Sequence, residues 1–117
     1  MEEENVLDSN NQLVHAIALL SDRTTVKRRS AARRLRKLQN PLAGPALLAA
    51  LHKEVHDPRT WKTQYQLIMA IGECGYQAAL PTLEALAQQI FEATTVYLAL
   101  AWIIHDDDYR IRYDHTS

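Results

Sequence analysis

The chain has 117 residues, a formal net charge of -1, 47% hydrophobic residues and 23% charged residues. That length gives one domain around one core, and the balance excludes the low-hydrophobicity, high-net-charge composition of disordered chains. Glycine and proline are scarce, at three and four residues, while alanine and leucine are abundant, which points to helices joined by short turns.

Apolar residues recur at helical spacing almost throughout. Breaks at Ser21-Asp22, Asn40-Pro41, Asp57-Pro58, Gly75-Tyr76 and near Gln89-Ile90 divide the sequence into six predicted helices, at 4–20, 23–39, 42–55, 59–74, 77–89 and 92–105. No apolar/polar alternation bounded by hairpin turns signals a strand. The first helix is acidic (Glu2, Glu3, Glu4, Asp8) and suits an outer cap. Those glutamates stand where a secretory signal carries positive charge. The longest apolar stretches, Ala46 to Leu51 and Val96 to Ile104, fall short of the ~20 residues a membrane span needs. The lone Cys74 forms no intrachain disulfide, so a cytoplasmic protein with no membrane association is expected.

The second helix opens after Asp22, a predicted N-cap, and carries eight of the thirteen basic residues between Arg23 and Lys37. At about 100° per residue, Ala31, Ala32, Leu35 and Leu38 form its buried arc, and Arg29, Arg33, Arg36 and Lys37 face outward with Arg23, Lys27 and Arg34. Arg28 falls on the apolar arc, where a charge needs a partner. From Arg23 to Gln39 no carboxylate supplies the usual i,i+4 support. Three readings of the run compete: a grip on nucleic acid, a grip on an acidic protein, or a solvated helix face.

Further along, Pro58 suits a first helical turn and Gly75 a left-handed helix end. His52 and His56 lie four apart, but "HKEVH" lacks the His-Glu-x-x-His order; they read as surface histidines favouring a helix C-terminus. Cys74 reads as a small buried hydrophobe, and Trp61 and Trp102 as core or interface anchors. The acidic tail, 106–117, closes the chain as a second cap.

Shifting the sequence by 36 residues brings Pro45 onto Pro81, Leu47 onto Leu83, Ala49 onto Ala85, Leu35 onto Ile71 and Ala43 onto Ala79. A period of that size marks stacked helical hairpins. The stretches "VKRRSAARRLRKLQNPLAGPALLAAL" and "AIGECGYQAALPTLEAL" resemble the short HEAT-type repeat of bacterial proteins. Val26, Arg28, Ala31, Ala32 and Leu35 match its first part, and Pro45, Leu47, Leu48 and Leu51 its second. Gly72 sits at the family glycine, whereas Arg36 replaces it in the first unit, and the last hairpin has a shorter turn. The Trp-Leu-Gly-Tyr spacing of tetratricopeptide repeats is missing around Trp61.

The resemblance implies an all-α fold: a right-handed alpha solenoid of about three hairpins, 4–39, 42–74 and 77–105, within a single domain, 1–117. It also implies an aspartate partner between repeats for Arg28, either Asp57 or Asp22, giving Arg28 and Asp57 structural roles. In such stacks the second helix of each hairpin lines a concave groove. The 36-residue shift sets Tyr65 beside Arg29 and Met69 beside Arg33, and a looser alignment adds Tyr97. With Arg36 and Lys62 these are the candidate partner-binding residues, a composition that protein interfaces favour.

An acidic protein partner needs only a local basic patch for steering. The alternative partner is nucleic acid, which basic HEAT-like surfaces also bind. Against it, the basic residues cluster in one hairpin, Glu73 and Asp106 to Asp108 oppose a polyanion, and the pI near 6.5 is below the value of about 9 expected of a dedicated nucleic-acid domain. No nucleophile elbow, P-loop, dinucleotide fingerprint or paired-carboxylate site is found, so no enzyme activity, cofactor or metal is expected. The family does include enzymes that glycosylate or lyse, for which Glu73, Tyr65 and Trp102 would be the groove residues. Size and charge point instead to an inhibitor, immunity or adaptor protein, monomeric or weakly oligomeric.

Overall fold

Five α-helices occupy the described residues of the computed structural model, which are 2–89 together with Ala99, Ile103 and Ile104; no strand occurs among them. They are α1 (Glu2–Leu19), α2 (Thr25–Leu38), α3 (Gly44–Glu54), α4 (Trp61–Glu73) and α5 (Leu80–Gln89). The predicted sixth helix, 92–105, lies outside the described residues except for Ala99, Ile103 and Ile104, which are helical and buried. Tyr97, Trp102 and the tail 106–117 lie outside them as well.

The helices start slightly later than the apolar pattern suggests, because α3, α4 and α5 are each entered through one 3-10 turn: Pro41–Ala43, Pro58–Thr60 and Gln77–Ala79. In the first two, the side chains of Asn40 and Asp57 accept the N–H groups of Leu42 and Arg59, each at 3.0 Å. The following proline fixes φ for the tight turn. Asp22 behaves similarly, which corrects its predicted role as N-cap. Thr24 occupies that position, and Asp22 Oδ2 accepts the Thr24 N–H at 2.9 Å and its hydroxyl at 2.8 Å. These two bonds, the backbone one first, hold the Asp22 carboxyl below its ordinary value.

Leu13, Ala16 and Leu20 of the first hairpin pack with Ala31, Ala32 and Leu35 of α2, and Leu47, Ala50 and Leu51 of α3 continue the core. α1 packs on α2, α3 on α4, and α2 on α4. Buried between its neighbours, α4 shows no solvent face from Leu67 to Gly72. That is why this stretch is apolar on every side. The 36-residue shift carries structure as well as sequence. Leu35 and Ile71, Leu47 and Leu83, and Ala43 and Ala79 are all fully buried, while Pro45 and Pro81 are both exposed. No helix of the described residues is long and apolar enough to cross a membrane.

Two glycines fix the turns. Gly75, at φ 69°, closes α4: its N–H donates to the Gly72 carbonyl at 3.0 Å and that of Tyr76 reaches back to Ile71 at 3.3 Å. Only glycine adopts this left-handed position without penalty. Gly44 is needed for space, since a Cβ there would overlap Cγ and Cδ1 of the Tyr76 ring and stand 2.8 Å from its Cβ. Gly44→Ala is therefore expected to destabilise the fold by about 1–3 kcal/mol, the usual range for overpacking. A chemical denaturation midpoint equal to wild type would show that Tyr76 moves aside freely.

Candidate functional site

Arg28 and the outward arginines of α2 part company at once. The Arg28 guanidinium pairs with Glu54 at the end of α3. Its Nη1 donates to the carbonyls of Asp22 at 2.9 Å and Arg23 at 3.0 Å, and its Nη2 to the Thr25 hydroxyl at 3.0 Å. One side chain thus ties the turn before α2 to the C-terminus of α3. The predicted aspartate partners are corrected: Glu54 supplies the carboxylate, and Asp22 offers only its backbone oxygen. Asp57 is engaged with Arg59, whose side chain and backbone N–H, in that order, hold the Asp57 carboxyl below its ordinary value. Glu54 sits one helical turn earlier and is buried beside α2. From α4, the buried Gln64 amide donates to the carbonyls of Glu54 at 3.0 Å and Asp57 at 2.8 Å, which also accept the backbone N–H groups of Asp57 and Thr60.

Between α2 and α4 lies an open cleft of about 400 Å³, lined by Arg33, Arg36, Lys37, Gln39, Gln66 and Glu73. Its geometry follows from helical spacing. Arg33, Arg36 and Lys37 are related by i, i+3 and i+4 on α2, and Gln66 and Glu73 by i, i+7 on α4, so two stripes face each other. Arg36 Nη1 donates to Gln66 Oε1 at 3.4 Å, and Gln39 Nε2 to Glu73 Oε2 at 3.1 Å. Three cations and one carboxylate leave the cleft with a net positive charge. The ion pairs among the described residues are Arg28 with Glu54 and Arg59 with Asp57, so none of the described carboxylates is ion-paired with Arg33, Arg36 or Lys37. Their field is available to an incoming anion.

Of the candidate binding residues, Arg33 and Arg36 line the cleft. Arg29 and Tyr65 are half-buried on the same two helices, and Lys62 is exposed, its ammonium 5.6 Å from the centre of the Trp61 ring. Met69 is corrected: it is fully buried in the core, out of reach of a partner. The 36-residue shift equates positions along the chain, but α4 is buried all round from Leu67 to Gly72, whereas α2 keeps Arg33 and Arg34 on an exposed face. Trp61 is partly exposed at the start of α4 and is no core residue, whereas Cys74 is fully buried, its thiol 3.6 Å from the Leu35 carbonyl. Tyr97 lies outside the described residues. His52 and His56 are exposed, and among the described residues no three His, Cys, Asp or Glu side chains gather where a metal could sit.

The sequence reading missed Lys37, Gln39 and Gln66 as cleft residues, and named Glu73 only as a charge opposing a polyanion and as a groove residue of the enzyme alternative. The i, i+7 spacing of Gln66 and Glu73 was a legible signal for one wall. Arg36 meets Gln66, six positions short of the 36-residue register, in the direction in which a helical side chain leans, toward the N-terminus.

Comparison with known proteins adds one finding. Residues 27–53, which span most of α2 and nearly all of α3, match the family model of the PBS lyase HEAT-like repeat. Among curated proteins and among solved structures nothing matches the chain.

Proposed function

We propose that this chain, which matches a HEAT-like repeat across α2 and α3, works by binding another protein through the arginine-rich face of α2. HEAT-like repeats commonly mediate protein–protein interaction. The observation that carries the reading is the cleft itself: Arg33, Arg36 and Lys37 converge there, and among the described residues no carboxylate is paired to them. A local patch of this kind steers an acidic protein surface and fixes its register. Tyr65, half-buried on α4 against the core and outside the cleft lining, is the aromatic anchor in this reading. In this reading the hairpins stack as a right-handed solenoid of three units in a single cytoplasmic domain, with Arg29 and Lys62 extending the basic rim. The chain acts without catalysis as an inhibitor, immunity or adaptor protein that covers an acidic surface.

Capture from a lysate on immobilised chain tests the proposal. Wild type is expected to retain a protein that the Arg33→Glu/Arg36→Glu variant loses, both having the same helical circular dichroism, since neither side chain is part of the core. Tyr65→Ala is expected to retain that protein but release it faster, because an anchor acts mainly on dissociation. Retention of the same protein by the charge-reversed variant contradicts the proposal. Retention of nucleic acid alone, lost steeply with added salt, replaces it with the nucleic-acid reading.

A further inference from the structure

Glu73 lines the cleft together with Arg33, Arg36 and Lys37, yet it forms an ion pair with none of them. Its Oε2 instead accepts the neutral amide of Gln39 at 3.1 Å. Gln39 makes this bond from φ 53°, ψ 38°, at the C-cap of α2, and is the one non-glycine residue with positive φ among those described. A glycine would occupy that position without penalty, as Gly75 does at the end of α4. The backbone thus bears a disfavoured conformation at the residue whose side chain holds the cleft's carboxylate. Strain of this kind gathers at functional positions. On the other side, Gln66 accepts one N–H of Arg36 at 3.4 Å, leaving the rest of its guanidinium fork for an anion.

We propose that the cleft is a two-sided receptor for an acidic peptide segment, with Gln39 holding Glu73 away from the cations so that they remain open to the ligand. The proposal rests on the reading of α2 as the binding face. Carboxylates of the segment meet Arg33, Arg36 and Lys37, and a peptide N–H meets Glu73. The mixed lining selects the ligand class. An acidic peptide carries acceptors and donors side by side, whereas phosphate and nucleic-acid backbone present acceptors to a site that holds a fixed negative charge. Without Gln39, Glu73 turns to the neighbouring cations and competes with the ligand for them.

The test titrates the full chain with a blocked glutamate–alanine peptide, with inorganic phosphate and with a short DNA duplex, each at low and at near-physiological ionic strength. Wild type is expected to bind the peptide, more weakly as salt rises. Gln39→Gly relieves the backbone while losing one hydrogen bond, so it is expected to melt close to wild type. Its peptide affinity is expected to drop by about 2–5-fold, the scale of one exposed ion pair. Adding Glu73→Gln to that variant restores the affinity, since the competing charge is gone. Glu73→Gln alone raises the affinity for phosphate more than that for the peptide. Equal peptide binding by wild type and Gln39→Gly overturns the role of Gln39 and leaves the α2 face standing. Equal peptide binding by wild type and Arg33→Glu/Arg36→Glu overturns that face too, as does the absence of peptide binding. Tighter binding of phosphate or duplex than of peptide overturns the choice of ligand.

Discussion

Leu35→Ala is expected to cost about 2–5 kcal/mol, the range for truncating a buried leucine whose surroundings relax only in part. Leu35 is fully buried in the α2 face that packs on α4, and its carbonyl accepts both the Gln39 N–H at 3.1 Å and the Cys74 thiol at 3.6 Å. The cavity therefore opens between the two helices that carry the cleft. Val26→Ala is the matched control: Val26 opens the same helix but is 65% exposed, and its truncation is expected to stay within about 0.5 kcal/mol. Urea denaturation of both variants checks the pair. Similar losses for the two would contradict the assignment of α2's buried face.

Arg28→Ala is expected to cost about 3–5 kcal/mol, lowering the melting temperature by roughly 10–20 °C. The cost has two sources. Glu54, with its side chain 7% exposed, loses the cation that justifies a buried carboxylate. The carbonyls of Asp22 and Arg23 and the Thr25 hydroxyl lose a charged donor as well. Arg33→Ala removes the same kind of charge five residues on, from an exposed position, and is expected to leave the melting temperature within a few degrees. Equal shifts in the two melting curves would show that Arg28 does not join the turns it touches.

The helices and their order were legible because turn chemistry and apolar spacing agreed. Asn40-Pro41 and Asp57-Pro58 each carry a side-chain acceptor and a proline in the order that a tight helix entry needs, and Gly75 marks an end that no other residue fits as well. The repeat of 36 residues likewise predicted matched burial, as for Leu47 and Leu83. What the pattern did not carry was environment. Met69 repeats Arg33 in register but lies in the stretch of α4 that is buried all round, and period alone cannot report how much of a helix is covered. The Arg28 partner was missed for a related reason: Asp57 is placed well in sequence, but its carboxylate is already used within its own turn by Arg59. Gln39 was hidden because a left-handed glutamine leaves no signature in sequence, and its hydrogen bond to Glu73 joins residues 34 positions apart.

Association kinetics test most directly whether the basic face of α2 is a protein-binding surface. The rate constant for the protein captured by wild type is measured at low and at near-physiological salt, for wild type and for Arg33→Glu/Arg36→Glu. The expected result is a wild-type rate that falls as salt rises, and a variant that associates more slowly with little salt dependence. A variant that associates as fast as wild type at both salt concentrations would contradict it, leaving the run of arginines as a solvated helix face.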